Sequence, residues 1–193
     1  MKLVITLDEM REFRPISKGI DAGRIQPYIQ EAQQFDLKRL LGDPLYVDFM
    51  AKFDVAGDPQ YANYQTLLKG TSYTYNNTSI EHPGLIGYLS YHALARFFNN
   101  NQVNAVKYGL VVKETDQSTP IDWKVIAASV SELRSNALAL QADIQKYLRY
   151  NPALYPLYQY NDGSASGQTG PRFFDPDDVN GGSRPGDRTL ISW

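Results

Sequence analysis

Apolar residues recur at helical spacing through most of the first 150 positions, in stretches separated by residues that start and stop helices. Thr6-Leu-Asp-Glu9 is a capping box, in which the Thr6 hydroxyl and the Glu9 carboxylate each satisfy an unpaired backbone amide. It predicts a short helix that ends before Pro15. From about Asp21 to Leu41, the residues Ile25, Tyr28, Ile29, Ala32, Phe35, Leu37, Leu40 and Leu41 fall mostly on one face. That pattern predicts an amphipathic helix with Pro27 in its first turn, where a missing amide hydrogen costs little. Gly42-Asp43-Pro44 then reads as a corner between helices, with Gly42 past one end, Asp43 as cap and Pro44 opening the next. Gly57-Asp58-Pro59 repeats the grammar and opens a segment that runs to Leu68 and closes at Gly70.

Two later stretches form the centre of the expected fold. Leu85 to Phe98 is apolar nearly all round, which predicts a helix wrapped by others. After Ser118-Thr119-Pro120, the positions Ile126, Val130, Leu133, Ala137, Leu140, Ile144 and Tyr147 alternate steps of four and three over three heptads. Such spacing suits a coiled coil, but a bundle helix packed on Leu85–Phe98 is its commoner origin. Asn151-Pro152 stops that helix, and the aromatic run ending at Tyr160 is expected to lie back over the bundle. Strand signals are fewer. Thr71 to Ser79 reads as a loop or short strand, and the alternation of Val106, Tyr108, Leu110 and Val112 gives the clearest β segment. The expected fold is mainly α: a bundle of about four to five helices with a short β element over residues 1–160, followed by an extended C-terminal tail over 161–193.

The tail changes the functional picture. Asn161 to Trp193 is rich in Gly, Ser, Pro and Asp and cannot bury a core of its own, yet it carries Phe173, Phe174, Leu190, Ile191 and Trp193. Exposed aromatics favour association, so the tail is expected to dock on another chain. Phe173, Phe174 and Trp193 are the expected anchors, with Arg172, Arg184 and Arg188 forming ion pairs at the rim. Fourteen tyrosines, five of them at 147, 150, 155, 158 and 160, add area suited either to interfaces or to a half-buried core.

Composition narrows the chemistry. Net charge is −2, which gives no general attraction to nucleic acid or anionic membranes. The long helix carries only Lys124, Arg134, Lys146 and Arg149, spread around it, so it has no basic face for DNA. There are no cysteines, and His82 and His92 are the only histidines, which excludes thiolate chemistry and multi-histidine metal sites. Asp175-Pro-Asp177-Asp178 lacks the sixth-position glycine and distal glutamate of a calcium loop. The glycines at 163, 167 and 170 follow no strand and open no helix, so they form no phosphate loop. His92 reads as a satisfied helical histidine beside Tyr88 and Arg96, and neither Ser90 nor Ser135 sits in a nucleophile elbow. No enzyme, cofactor or metal is expected. The N-terminus has neither the apolar core nor the cleavage site of a signal peptide, and no stretch approaches the length of a membrane span.

The segment Ile25-Gln-Pro-Tyr-Ile-Gln-Glu-Ala-Gln-Gln-Phe-Asp-Leu-Lys-Arg-Leu-Leu-Gly-Asp-Pro-Leu-Tyr46 resembles the opening helices of tailed-bacteriophage head–tail connector proteins, also called adaptor or neck ring proteins. Tyr108-Gly-Leu-Val-Val-Lys-Glu-Thr-Asp-Gln-Ser118 followed by a long helix is similar to versions in phages of Bacteroidetes hosts, including the crAss-like group. The resemblance covers most of residues 1–150 in order of elements, and the tail from Asn161 aligns with no motif of that family. It implies a homo-oligomeric ring, twelvefold in the family's usual arrangement, bound to the portal on one side and to a tail or second neck protein on the other. It further implies that DNA passes through the lumen unread, and that the protein sits at the head–tail junction of a virion assembled in the host cytoplasm. Two alternatives stand beside it: another virion protein of the tail-completion or stopper type, usually richer in strand, and a non-viral helical interaction or DNA-binding module.

Overall fold

The computed structural model describes residues 2–101, 103–106, 109–112 and 122–159, with backbone alone between 101 and 112. The chain divides into Met1–Tyr160 and Asn161–Trp193, and the second unit lies outside the described residues.

The fold is mainly α. Helix α1 (Leu7–Phe13) begins at the expected capping box: Glu9 N–H donates to Thr6 Oγ1 at 3.2 Å, and Thr6 N–H donates to Glu9 Oε2 at 2.7 Å. Helix α2 (Ala22–Glu31) runs without interruption into a π-helical segment, Ala32–Leu37, and then α3 (Lys38–Leu41). Helix α4 (Asp43–Lys52) follows at a corner in which Gly42 has φ 74°. Helix α5 (Tyr61–Lys69) leads into strands β1 (Thr71–Tyr75) and β2 (Thr78–His82), an antiparallel hairpin that pairs Tyr75 with Thr78. Helix α6 (Leu85–Asn101) is followed by a second antiparallel hairpin, β3 (Val103–Val106) and β4 (Gly109–Val112), and then by α7 (Trp123–Tyr150).

Several expectations are corrected in detail. Pro27 is the sixth residue of its helix rather than part of its first turn, so the carbonyl of Gly23 loses the bond it would accept there. Phe35 is 57% exposed instead of facing the core. The reason lies in the buried positions Ile25, Ile29, Gln33, Leu37 and Leu41, spaced four apart. Each step of four overshoots one turn of a regular α-helix by about 40°, so Leu41 would end up about 160° from Ile25. The wider π segment absorbs that drift and holds the stripe on one face, and Phe35 is carried outward. Asp43 makes no capping hydrogen bond and instead pairs with Lys38 at 3.4 Å. The single strand expected over Val106–Val112 is two strands with Val106 opposite Gly109. Helix α7 is capped by Asp122, whose Oδ1 accepts from Lys124 N–H at 3.0 Å, and not by the Ser118–Pro120 stretch, which lies outside the described residues.

Helix α6 is the central element, as its all-round apolarity predicts, packing against α1, α2, the π segment, α5 and most extensively α7. The α7 stripe faces it: Ile126, Val130, Leu133, Ala137, Ile144 and Tyr147 are buried, and Leu140 packs at the margin. After α7, Asn151 Nδ2 donates to Tyr147 O at 2.8 Å and turns the chain back over the bundle. Tyr155 is buried there and donates to Asn63 O at 2.8 Å.

Candidate interaction surface

A cluster of titratable groups joins the π segment to α6. Asp36, on the π segment, meets α6 through Arg96 Nη1 at 2.5 Å and His92 Nδ1 at 3.6 Å. Glu31 adds a contact to Arg96 Nε at 3.6 Å, and Tyr88 Oη donates to Asp36 O at 3.2 Å. Burial lowers the pKa of His92, with Asp36 opposing the shift. These pairs pin the irregular segment to the central helix. Ser90 is buried two residues from His92, which places the two side chains about 200° apart around α6, so they form no nucleophile–base pair.

A second buried cluster lies under the β1–β2 hairpin. His82 is 3% exposed and stacks on Tyr147 with centroids 4.1 Å apart. Its Nε2–H donates to Leu67 O at 3.1 Å, which leaves Nδ1 as the unprotonated nitrogen. Burial lowers its pKa to about 4 against the opposing pull of Asp143. Tyr147 Oη lies 3.2 Å from Tyr155 Oη, and both rings belong to the core rather than to an interface. Of the clustered tyrosines, Tyr150 is the exposed one among the described residues, stacked on Tyr75 at 3.8 Å. Sequence reasoning missed Asp36 because its partners lie some 56–60 positions away on another helix.

The surface offers a different kind of chemistry. Helix α7 exposes Trp123 (58%), Val125 and Leu138 (59%), apolar residues off the buried stripe. Two hollows flank it. One, of about 410 Å³, is lined by Trp123, Ala127, Val130, Arg134 and Leu138 together with Asn99. The other, of about 470 Å³, is floored by Ile16, Leu94, Phe98 and Leu133, with Arg14 and Glu132 in its wall. Arg14 lies over the Tyr91 ring at 5.4 Å, and its Nη1 is buried without a hydrogen-bond partner among the described residues. The signal for Trp123 and Leu138 was present in the sequence as bulky apolar residues outside the heptad stripe. Arg14 carried none. The anchors expected from the sequence, Arg172, Phe173, Phe174, Arg184, Arg188 and Trp193, all lie outside the described residues.

A family model described as "Family of unknown function (DUF6712)" matches residues 37–168. The chain belongs to that family. The match takes in α3 through α7, including the exposed surface of α7, whereas α1 and α2 precede it. It ends before Arg172, leaving the expected tail anchors outside it. No curated protein and no solved structure matches this chain. Among the described residues no group of His, Asp and Glu is arranged to hold a metal ion, and no helix is long and apolar enough to cross a membrane.

Proposed function

We propose that this chain is a structural subunit of a tailed-bacteriophage virion, forming an oligomeric ring at the head–tail junction that joins the portal to the tail and lets DNA pass. The observation that carries this reading is the order of elements: paired opening helices around the Gly42 corner, a central helix, a small hairpin and a long final helix. That order agrees with the set on which the resemblance to connector proteins rests. Helical make-up favours an adaptor over a strand-rich stopper protein. Apolar side chains exposed along α7 supply lateral contact area of the kind a ring needs. A net charge of −2 suits a lumen that must not grip the passing duplex. In this reading the tail is a docking arm, the partners are further copies, the portal and a tail or second neck protein, and no reaction or cofactor is assigned.

The test is genetic. Deleting the gene from its virus is expected to yield DNA-filled heads without tails, restored by the gene supplied in trans. Normal particles from the deletion, or heads that never fill, would overturn the reading. A salt-sensitive shift of duplex DNA by the purified chain would favour the DNA-binding alternative instead.

A further inference from the structure

The hollow between the loop after α1 and the α6–α7 pair has an unusual distribution of charge. Its floor is apolar, made by Ile16, Leu94, Phe98 and Leu133. Its wall carries one cation, Arg14, and one anion, Glu132, and neither forms an ion pair among the described residues. Arg14 Nη1 is buried and without a hydrogen-bond partner among those residues, while Arg14 itself lines the hollow, so its positive charge is available there to an incoming carboxylate. The volume, about 470 Å³, is within the range of pockets that take a small ligand or a single large side chain.

The chain itself contains a segment of matching character. Arg172-Phe173-Phe174-Asp175 places two aromatics between one cation and one anion. Nothing else after Tyr160 has aromatic residues flanked by opposite charges: Trp193 follows Leu-Ile-Ser, with the nearest charge at Arg188. We infer that the hollow walled by Arg14 and Glu132 receives the Arg172–Asp175 segment of a neighbouring copy, with one phenyl ring on the apolar floor, Asp175 on Arg14 and Arg172 on Glu132. In an extended segment Phe173 and Phe174 point to opposite sides, so one fills the hollow and the other covers its rim. Thirteen residues, 160–172, separate the last described residue from Phe173 and span about 45 Å when extended. That length is comparable to α7, whose 28 residues rise about 42 Å, so the segment can span the longest element of the bundle. The inference rests on the ring reading for the choice of a neighbouring copy as host.

The absence of native cysteines makes the seat directly testable. A full-length chain with Ser129→Cys, at the wall of the hollow, is mixed with a second full-length chain with Pro176→Cys in the presence of the portal protein of its own virus, and oxidised. Disulfide-linked dimers are expected at about tenfold or more the yield of a control pair in which Thr78→Cys, on β2, replaces Ser129→Cys. Arg14→Glu in the first chain should remove that excess, and Asp175→Arg in the second should restore it by reversing both charges. If the yield equals the control, or if a chain carrying both Ser129→Cys and Pro176→Cys closes only on itself, the neighbour seat is wrong. Electron micrographs of the same samples separate this from the ring reading. Rings without the link sink the seat alone, whereas a link confined to two-fold dimers sinks the ring and leaves the seat.

Discussion

At the scale of single residues, the tightest constraint is where Gly70 and Gly84 meet. Both have positive φ, 91° and 77°, and each lies against the other's backbone. A Cβ on Gly84 would sit 2.6 Å from Gly70 N and from Leu68 O, and one on Gly70 would sit 2.5 Å from His82 O. These contacts are with backbone, which cannot step aside as a flexible side chain can. Gly84→Ala is therefore expected to destabilise the bundle by roughly 2–4 kcal/mol, from left-handed strain plus overpacking, read as a lower denaturant midpoint. An unchanged midpoint would show that this junction is not closed. His82 gives a pH signature. The folded state holds its pKa near 4, below the unfolded value of 6.5, so the unfolded chain binds the extra proton between those values. Stability should be full above about pH 6.5 and fall as pH drops toward 4, by ~3 kcal/mol from this group. His92, also lowered, acts in the same direction. Unfolding midpoints between pH 7.5 and 4.5 check this, and His82→Gln should flatten part of the slope. A wild-type slope of zero would contradict the buried neutral histidine.

At the scale of elements, the bundle rests on α6 against α7. Leu89 is fully buried at the middle of α6. Leu89→Asp would bury an unpaired carboxylate and is expected to unfold the domain, seen as loss of the cooperative thermal transition. A soluble variant with the native midpoint would show that α6 is not central. These two helices were legible because their patterns are purely periodic: Ile126, Val130, Leu133 and Ala137 are buried where the spacing places them. The π segment was not, because a stripe with step four is ambiguous until Leu37 and Leu41 are known to share a partner. The β1–β2 hairpin was underread, although Asn76-Asn77, at φ 48° and 60°, is a turn pair that tolerates the left-handed region. The second hairpin was read as one strand because the alternation of Val106, Tyr108, Leu110 and Val112 carries no mark of the reversal that pairs Val106 with Gly109. The surface around Arg14 was invisible in sequence, since it is assembled from three elements distant along the chain.

At the scale of the whole molecule, the proposed ring assigns different parts to the bundle and the tail. The core closes within Met1–Tyr160, with Tyr155 sealing the last described turn through Asn63 and Tyr147. Truncation after Asn161 is expected to leave stability within about 1 kcal/mol of the full chain, because the core formed by the described residues is kept intact. The same truncation should abolish incorporation into particles, giving filled heads without tails. Normal infectious yield from the truncated chain would mean the tail is dispensable. The central claim is the ring, and head-to-tail contacts in a ring must close or they propagate as filaments. Electron microscopy and light scattering of the purified chain, alone and with the portal protein of its own virus, test this most directly. The account predicts monomers or weak oligomers alone and closed rings seated on the portal when it is present. A stable two-fold dimer that ignores the portal would contradict it.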